Sequence, residues 1–362
     1  MEPIDVRSLR RILAVRLDNI GDVVLLSPAL RALATAAPQA EITLLCSPAG
    51  SLVAPLLPWV RDTIVARTSW QDASNALPLD PAREQALIAD IANRDFDAAF
   101  VFTSFSQTPH TPGYVCYLAG IPVRAGQPRD FGGSIFSHAI RPPEDDCHQA
   151  ERNLHLVVGA GIRAAGRDLE LRVPAIAAAA GDALLAHHGI APGEPFALFA
   201  PGASCQARRY PAERFAQAAR RVAAAGLRVV AAGAEQDAAA CEQIARAAGP
   251  GAVNLAGTTS IPEFAHVVSR SSVVVCNDSG PMHIAEAFAR PMTVLFAGTD
   301  LQRQWAPRAS HAILLQRPMP CAPCYGFTCD RLQACLDIDP WEVAQHALAL
   351  AATTIPSAKE AA

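Results

Sequence analysis

Short apolar runs alternate with segments of helical periodicity along most of the chain. The run from Arg11 to Leu17 has the pattern of a strand buried on both faces. A helix is expected from about Asp22 to Ala37, followed by strands at Glu41 to Cys46, Thr63 to Ala66 and Ala98 to Phe102. An Ala-rich helix over Ala82 to Asn93 precedes the last of these. Strands that alternate with helices imply parallel βαβ units in a doubly wound α/β sheet.

The same rhythm restarts at Pro195 to Ala200. It continues through a helix (Ala212 to Ala225), a strand (Leu227 to Ala232), a helix (Asp237 to Ala248) and the segment Ile261 to Ser271. A strand (Ser272 to Cys276), a helix (Met282 to Ala289) and a strand (Met292 to Phe296) follow. The expected organisation is a first Rossmann-like domain over residues 1–172, a linker over 173–194, a second Rossmann-like domain over 195–339, and a carboxy-terminal helix and tail over 340–362. Thr354 to Ala362 are expected to fray. Ligands of such sheets bind beyond the carboxyl ends of the strands, so two facing sheets would put the site in a cleft between the domains.

Length agrees with two domains, since 362 residues exceed one ordinary core. A net charge of −4 and 6% aromatic residues exclude a typical nucleic-acid binder, which carries a basic excess and stacking platforms. The uncharged stretch from Ile42 to Val60 contains Pro48, Pro55 and Pro58. Three prolines would break a lipid-exposed helix, so a strand followed by loops is expected there. The first eleven residues lack the apolar core of a signal peptide, and a cytoplasmic location is expected. Cys46, Cys116, Cys147, Cys205, Cys241 and Cys276 are scattered singly, as suits reduced thiols in a reducing compartment.

Candidate chemistry falls at the strand-to-helix turns. After the first strand, Asn19, Gly21 and Asp22 open a helix. Asp22 reads either as a helix cap or as a general base within reach of an incoming hydroxyl. After the strand ending at Cys276, Asp278, Ser279 and Gly280 precede Pro281 and a helix, whose free N–H groups suit a diphosphate. His283 lies one turn further on and reads as a ligand contact or a core histidine. Ser204, Arg208 and Arg209 follow the first strand of the second block, where forked arginine donors could neutralise phosphate. Glu235 and Asp237 follow the next strand, each able to cap a helix or to accept from a ribose hydroxyl. A GxGxxG fingerprint is missing, which disfavours a dehydrogenase. No DxD pair stands at a strand end to suggest a metal-bound donor, and Asp145-Asp146 reads as solvated charge. Cys321, Cys324, Cys329 and Cys335 either pack an extended loop as reduced thiols or hold a structural zinc or iron ion.

These residues resemble glycosyltransferase family 9, the ADP-heptose:lipopolysaccharide heptosyltransferases. The match runs in family order through Arg11 to Leu45, Tyr117 to Gly126, His148 to Asn153, Pro201 to Ser204, and Asp278 to Gly280 with His283. The resemblance implies a GT-B fold, with acceptor on the first domain and nucleotide-sugar donor on the second, and inversion at the anomeric carbon. It places Asp22 on the family's proposed base and Asn19, Gly21 and Arg124 on the acceptor side. Ser204, Arg208, Arg209, Asp237, Asp278, Ser279, Gly280 and His283 fall on the donor side. It implies ADP-heptose or a related nucleotide sugar as donor, a lipid-linked saccharide as acceptor, and transient contact with the inner face of the inner membrane, with no cofactor required for catalysis. Arg208 stands where Lys is usual, Tyr210 where Trp is frequent, and Ala289 where Gly is frequent. Other readings are a family member acting on another donor, or on an O-antigen, capsule or protein acceptor, and a non-catalytic nucleotide-sugar-binding module. Asp22 and the Asp278 turn argue against the last.

Overall fold

β1 (Arg11–Arg16) is buried at every position except its first, and it forms the centre of a six-stranded sheet. The structure, a computed structural model, describes residues 3–72 and 75–354. Contacts divide the chain into two units, Met1–Arg172 and Val173–Ala362. In the first unit β1 is followed by α1 (Ile20–Val24), α2 (Ser27–Ala36), β2 (Glu41–Cys46), α3 (Pro48–Ser51), β3 (Val60–Val65) and α4 (Pro81–Ala92). Then come β4 (Ala98–Val101), α5 (His110–Leu118), β5 (Val123–Gly126), β6 (His138–Ala139) and α6 (Gln149–Gly159). The strands are parallel in the order β3-β2-β1-β4-β5-β6. The direction of strand progression reverses between β1 and β4, where doubly wound sheets bind ligands.

The second unit repeats the design. Its elements are α7 (Ala175–His187), β7 (Phe196–Ala200), α8 (Ala212–Ala224), β8 (Arg228–Ala231), α9 (Ala238–Ala248), β9 (Val253–Asn254) and α10 (Ile261–Arg270). They continue as β10 (Val273–Asn277), α11 (Gly280–Ala287), β11 (Met292–Leu295), α12 (Gln302–Trp305), β12 (Ala312–Leu315) and α13 (Pro340–Ala352). The order β12-β11-β10-β7-β8-β9 is again parallel, with its reversal between β7 and β10.

Two sequence expectations change. The helix expected over Asp22 to Ala37 is two helices. Pro28 lies in the first turn of α2 and has no N–H to donate, so the helix restarts there, and Leu26 donates to the carbonyl of Val23 across the break at 3.1 Å. The segment 173–194, expected as a linker, carries α7, because its alanines favour a helix. Gly181 lets α7 lie close on α10: a Cβ there would stand 2.7 Å from His266 Cδ2. Asp182 of α7 reaches His266 at 2.9 Å and Arg270 at 2.5 Å. The expected carboxy-terminal helix is α13. Val343, Ala344, Ala347, Leu350 and Ala351 of α13 join Phe199, Phe215 and Val275 in the core of the second unit.

The Ile42 to Val60 stretch forms β2, α3 and a 3-10 turn at Ala54–Leu56. No helix among the described residues is long and apolar enough to cross a membrane. The expected frayed end, beyond Thr354, lies outside the described residues.

Candidate active site

In the first unit the chemistry collects where β1 ends. Arg16, its last residue, is fully buried. Its Nη2 donates to Asp22 Oδ1 at 2.7 Å and to Ser104 Oγ at 2.7 Å, while its Nε lies 2.8 Å from Asp18 Oδ2. Asp22 is the third residue of α1, and its Oδ2 accepts from the N–H of Asn19, the residue that caps the helix, at 3.2 Å. Both oxygens of Asp22 are therefore oriented, yet 15% of its side chain remains exposed. Gly21, beside it, is buried within α1.

Asp18 is held from the other side. Its Oδ1 accepts from Gln71 Nε2 at 2.7 Å and Gln107 Nε2 at 2.5 Å, and its carbonyl accepts from Ser47 Oγ at 2.6 Å. Burial raises its pKa above the ordinary carboxylate range and Asp22 adds to the rise, against the pull of Arg16 and the two amides. Behind Arg16 stands a second fully buried arginine, Arg152 of α6, with the Phe105 ring 5.2 Å from its guanidinium carbon. Burial, then the positive charges of Arg129 and Arg16, bring the pKa of Arg152 down to about 10.

Arg124 is not part of this group. It stands at the register of Leu13 through Ala99, three residues before Arg16 along the sheet. Its guanidinium donates to the carbonyls of Ile121, Pro122, Ser134 and Ile135, and it lies over the ring of Tyr117 at 5.2 Å. The acceptor contact expected of it is corrected on this ground: its donors go to the main chain, and it staples β5 to the loop before β6. Asp145 is exposed, as expected of solvated charge, and pairs with Arg129.

In the second unit the turns after β7, β8 and β10 meet. Asn277, the last residue of β10, donates to the carbonyl of Pro201 at 2.7 Å and accepts from the N–H of Tyr210 at 3.0 Å, which fixes the loop after β7. Ser279 donates to the carbonyls of Gly202 and Asn277 at 3.1 and 3.3 Å. Its side chain does not cap α11, which Gly280 and Pro281 open. Asp278 is buried beside it, its N–H donating to Leu295 at 3.2 Å. His283 is buried too, its ring centroid 6.4 Å from that of Trp305.

Arg208 and Arg209 point to different partners. Arg208 donates from Nε to Thr299 Oγ1 at 3.0 Å and from Nη2 to Asp300 Oδ2 at 2.5 Å. Arg209 donates to the carbonyl of Ala203 and lies 3.3 Å from Asp237 Oδ1. Asp237 is buried and its Oδ2 accepts from the N–H of Ala234 at 3.2 Å, whereas Glu235 is exposed. Ser204 is exposed in the loop after β7.

Sequence reasoning missed Arg16, Asp18, Gln107 and Arg152 in the first unit, and Asn277, Thr299 and Asp300 in the second. The available signal for Arg16 was a charge at the end of an otherwise apolar strand, which burial obliges to find anions. The four late cysteines are free thiols, with Cys324 exposed, and no metal-holding group of His, Cys, Asp or Glu occurs among the described residues. Cys335 packs against Gly298, where an added Cβ would stand 3.4 Å from that of Cys335, and burial, with smaller effects of Cys329 and Cys324, raises the pKa of its thiol.

A family model for glycosyltransferase family 9 (heptosyltransferase) matches residues 86–334, beginning after the Asp22 turn. Lipopolysaccharide heptosyltransferase 2 of Salmonella typhimurium is 25% identical over 318 residues, covering 83% of this chain and 86% of that one. A glycosyl transferase family 9 structure from Veillonella parvula aligns with a TM-score of 0.78 at 19% identity, covering 97% of this chain and 99% of that one. The structure of E. coli ADP-heptose lps heptosyltransferase II aligns with a TM-score of 0.74 at 21% identity, covering 95% and 99%. The fold is thus of the GT-B type, two Rossmann-like units in one chain. With the larger part of its length matched by that model, the chain is a glycosyltransferase and belongs to glycosyltransferase family 9, the heptosyltransferase family.

Proposed function

We propose that this enzyme moves a heptose from ADP-heptose to a lipopolysaccharide inner-core acceptor, inverting the anomeric carbon, with Asp22 as the general base. The observation that carries the reading is the Asp22 carboxylate itself. It is oriented through both oxygens by Arg16 and Asn19 and is still partly exposed. A helix cap alone has no need of a buried arginine as a second anchor.

In the proposed reaction Asp22 takes the proton of the acceptor hydroxyl as its oxygen bonds to the anomeric carbon. The bond from that carbon to the diphosphate breaks, and ADP leaves with the electron pair. Displacement on the face opposite the leaving group gives inversion, by analogy with inverting glycosidases. Arg208 and the start of α11 stabilise the charge on the departing diphosphate, the kind of fixed-dipole and cation support that lowers such barriers. Asp237 and Arg209 shape the nucleoside side, with the backbone of Gly202 against them. Because the acceptor is lipid-linked, the enzyme works at a membrane surface in transient contact with it.

The test is ADP release from ADP-heptose in the presence of a Kdo-type acceptor, wild type beside Asp22→Asn. The expected result is a fall of about 10²–10⁴-fold with thermal stabilisation by ADP-heptose retained. Release at the wild-type rate would remove Asp22 as base. Stabilisation by another nucleotide sugar, with none by ADP-heptose, would remove the donor assignment.

A further inference from the structure

The arginine that anchors Asp22 is shared between two carboxylates. A carboxylate paired one to one with a guanidinium is a poor base, because the opposite charge lowers its pKa by about 1–3 units. Arg16 does not give Asp22 its whole charge. Its Nε edge faces Asp18 Oδ2 at 2.8 Å while its Nη2 faces Asp22 Oδ1 at 2.7 Å. From the geometry of this trio we infer that Asp18 is a positioning residue that sets the basicity of Asp22 through Arg16, by taking up part of the guanidinium's charge. The inference rests on the reading of Asp22 as base.

The surroundings of Asp18 are built for an anion. Gln71 and Gln107 both donate to Oδ1, and Arg16 faces Oδ2. A proton on Oδ1 would displace one of the amide donors. Burial opposes the charge, which is why Asp18 binds a proton more readily than an exposed aspartate. The two amide donors on Oδ1 and the Arg16 charge beside Oδ2 favour the anion, and the role inferred for Asp18 requires it ionised.

The groups facing the trio come from several elements. Ser104 and Gln107 follow β4, Gln71 ends the 3-10 turn at Ser69–Gln71, and Arg152 faces Arg16 from α6. Arg152 adds a second positive charge close to Arg16, with Arg129 and Asp145 beyond it. The ionised pair Asp18 and Asp22 keeps the site near balance. When Asp22 takes up the acceptor proton, Arg16 still has Asp18 as a counter-ion and is not left buried and unpaired, which would be costly.

The test is the pH dependence of kcat/KM for ADP release, in wild type, Asp18→Asn, Gln71→Leu and Asp22→Asn. Asp18→Asn keeps the shape of the side chain and removes its charge, so Arg16 falls wholly to Asp22. The acid limb of the profile is expected to move down by about one pH unit, with a lower plateau and an unchanged KM for ADP-heptose. Gln71→Leu removes one donor from Asp18 and leaves the bonds of Arg16, so it shifts the limb in the same direction by less. An acid limb that stays in place or moves up in either soluble variant overturns the role of Asp18. If Asp18→Asn does not fold, Gln71→Leu decides alone. Asp22→Asn separates the two readings: full activity in that variant removes the base, whereas an inactive Asp22→Asn beside an unmoved Asp18→Asn limb removes only the role of Asp18.

Discussion

A Cβ on Gly202 would stand 2.4 Å from Oδ2 of Asp237. The loop after β7 thus rests directly on the acid that follows β8, and that acid cannot swing away, being tied to Arg209 and to the N–H of Ala234. Gly202→Ala should force the two turns apart, at a cost of about 1–3 kcal/mol typical of overpacking. A lower melting temperature with weaker ADP binding is the expected outcome. A variant with wild-type values for both would show that the contact is slack.

Arg208 shares its guanidinium between Thr299 and Asp300. If it stabilises the diphosphate, Arg208→Ala should weaken ADP binding by about tenfold or more, since hydrogen bonds to charged groups contribute about 1.5–3 kcal/mol. Asp300→Asn should act in the opposite sense, because it frees the arginine for phosphate. Calorimetric titration with ADP measures both signs, and weaker binding in both variants would argue for a purely structural pair.

The cysteines should separate by reactivity. Burial pushes the thiols of Cys46, Cys116 and Cys241 up to about 12, and the thiolate is the reacting form. Cys324 is exposed. Alkylation of the folded protein at mildly alkaline pH, followed by peptide mass analysis, should label Cys324 first and leave those three unlabelled. Added zinc should not protect Cys321, Cys324, Cys329 and Cys335; protection of all four would revive a metal site.

Asp182 makes the attachment of α7 sensitive to acid. Its hydrogen bond with His266, with Arg270 alongside, holds its carboxyl below the ordinary aspartate value of 3.8. A lowered folded-state pKa contributes stability that is fully present above the unfolded value and is lost as pH falls through the folded one. The melting temperature of Asp182→Asn should lie below wild type at neutral pH and converge with it in acid. The gap should be small, since half of the Asp182 side chain is exposed. A gap that is constant with pH would assign the effect to packing.

Much of the architecture was legible because buried parallel strands read as unbroken apolar runs, as in Ile12 to Val15 or Val273 to Cys276. Short elements were not. β9 is Val253–Asn254 and β6 is His138–Ala139, too brief to show any period. The alanines of α7 favour a helix but carry no amphipathic stripe, so no period marked it and the segment read as a linker. At the candidate site, Asp22, Asp237 and the Asp278 turn stand out in the sequence because strand-to-helix turns are where such folds present chemistry. Arg16, Asp18 and Asp300 do not, since their meaning lies in partners. Asp18 is 53 residues from Gln71 and 89 from Gln107, and no local pattern joins them. Arg124 went the other way: a basic residue in a promising motif, spent on main-chain carbonyls.

The chain crosses from its first unit to its second at a single place, between Arg172 and Val173, and each unit holds a complete sheet of the same strand order. Neither half borrows a strand from the other. Inheritance can therefore act on them separately. Exchanging one gene segment at that junction among relatives would join two whole units of different ancestry, and a new specificity could arise by recombination before any point mutation had refined it.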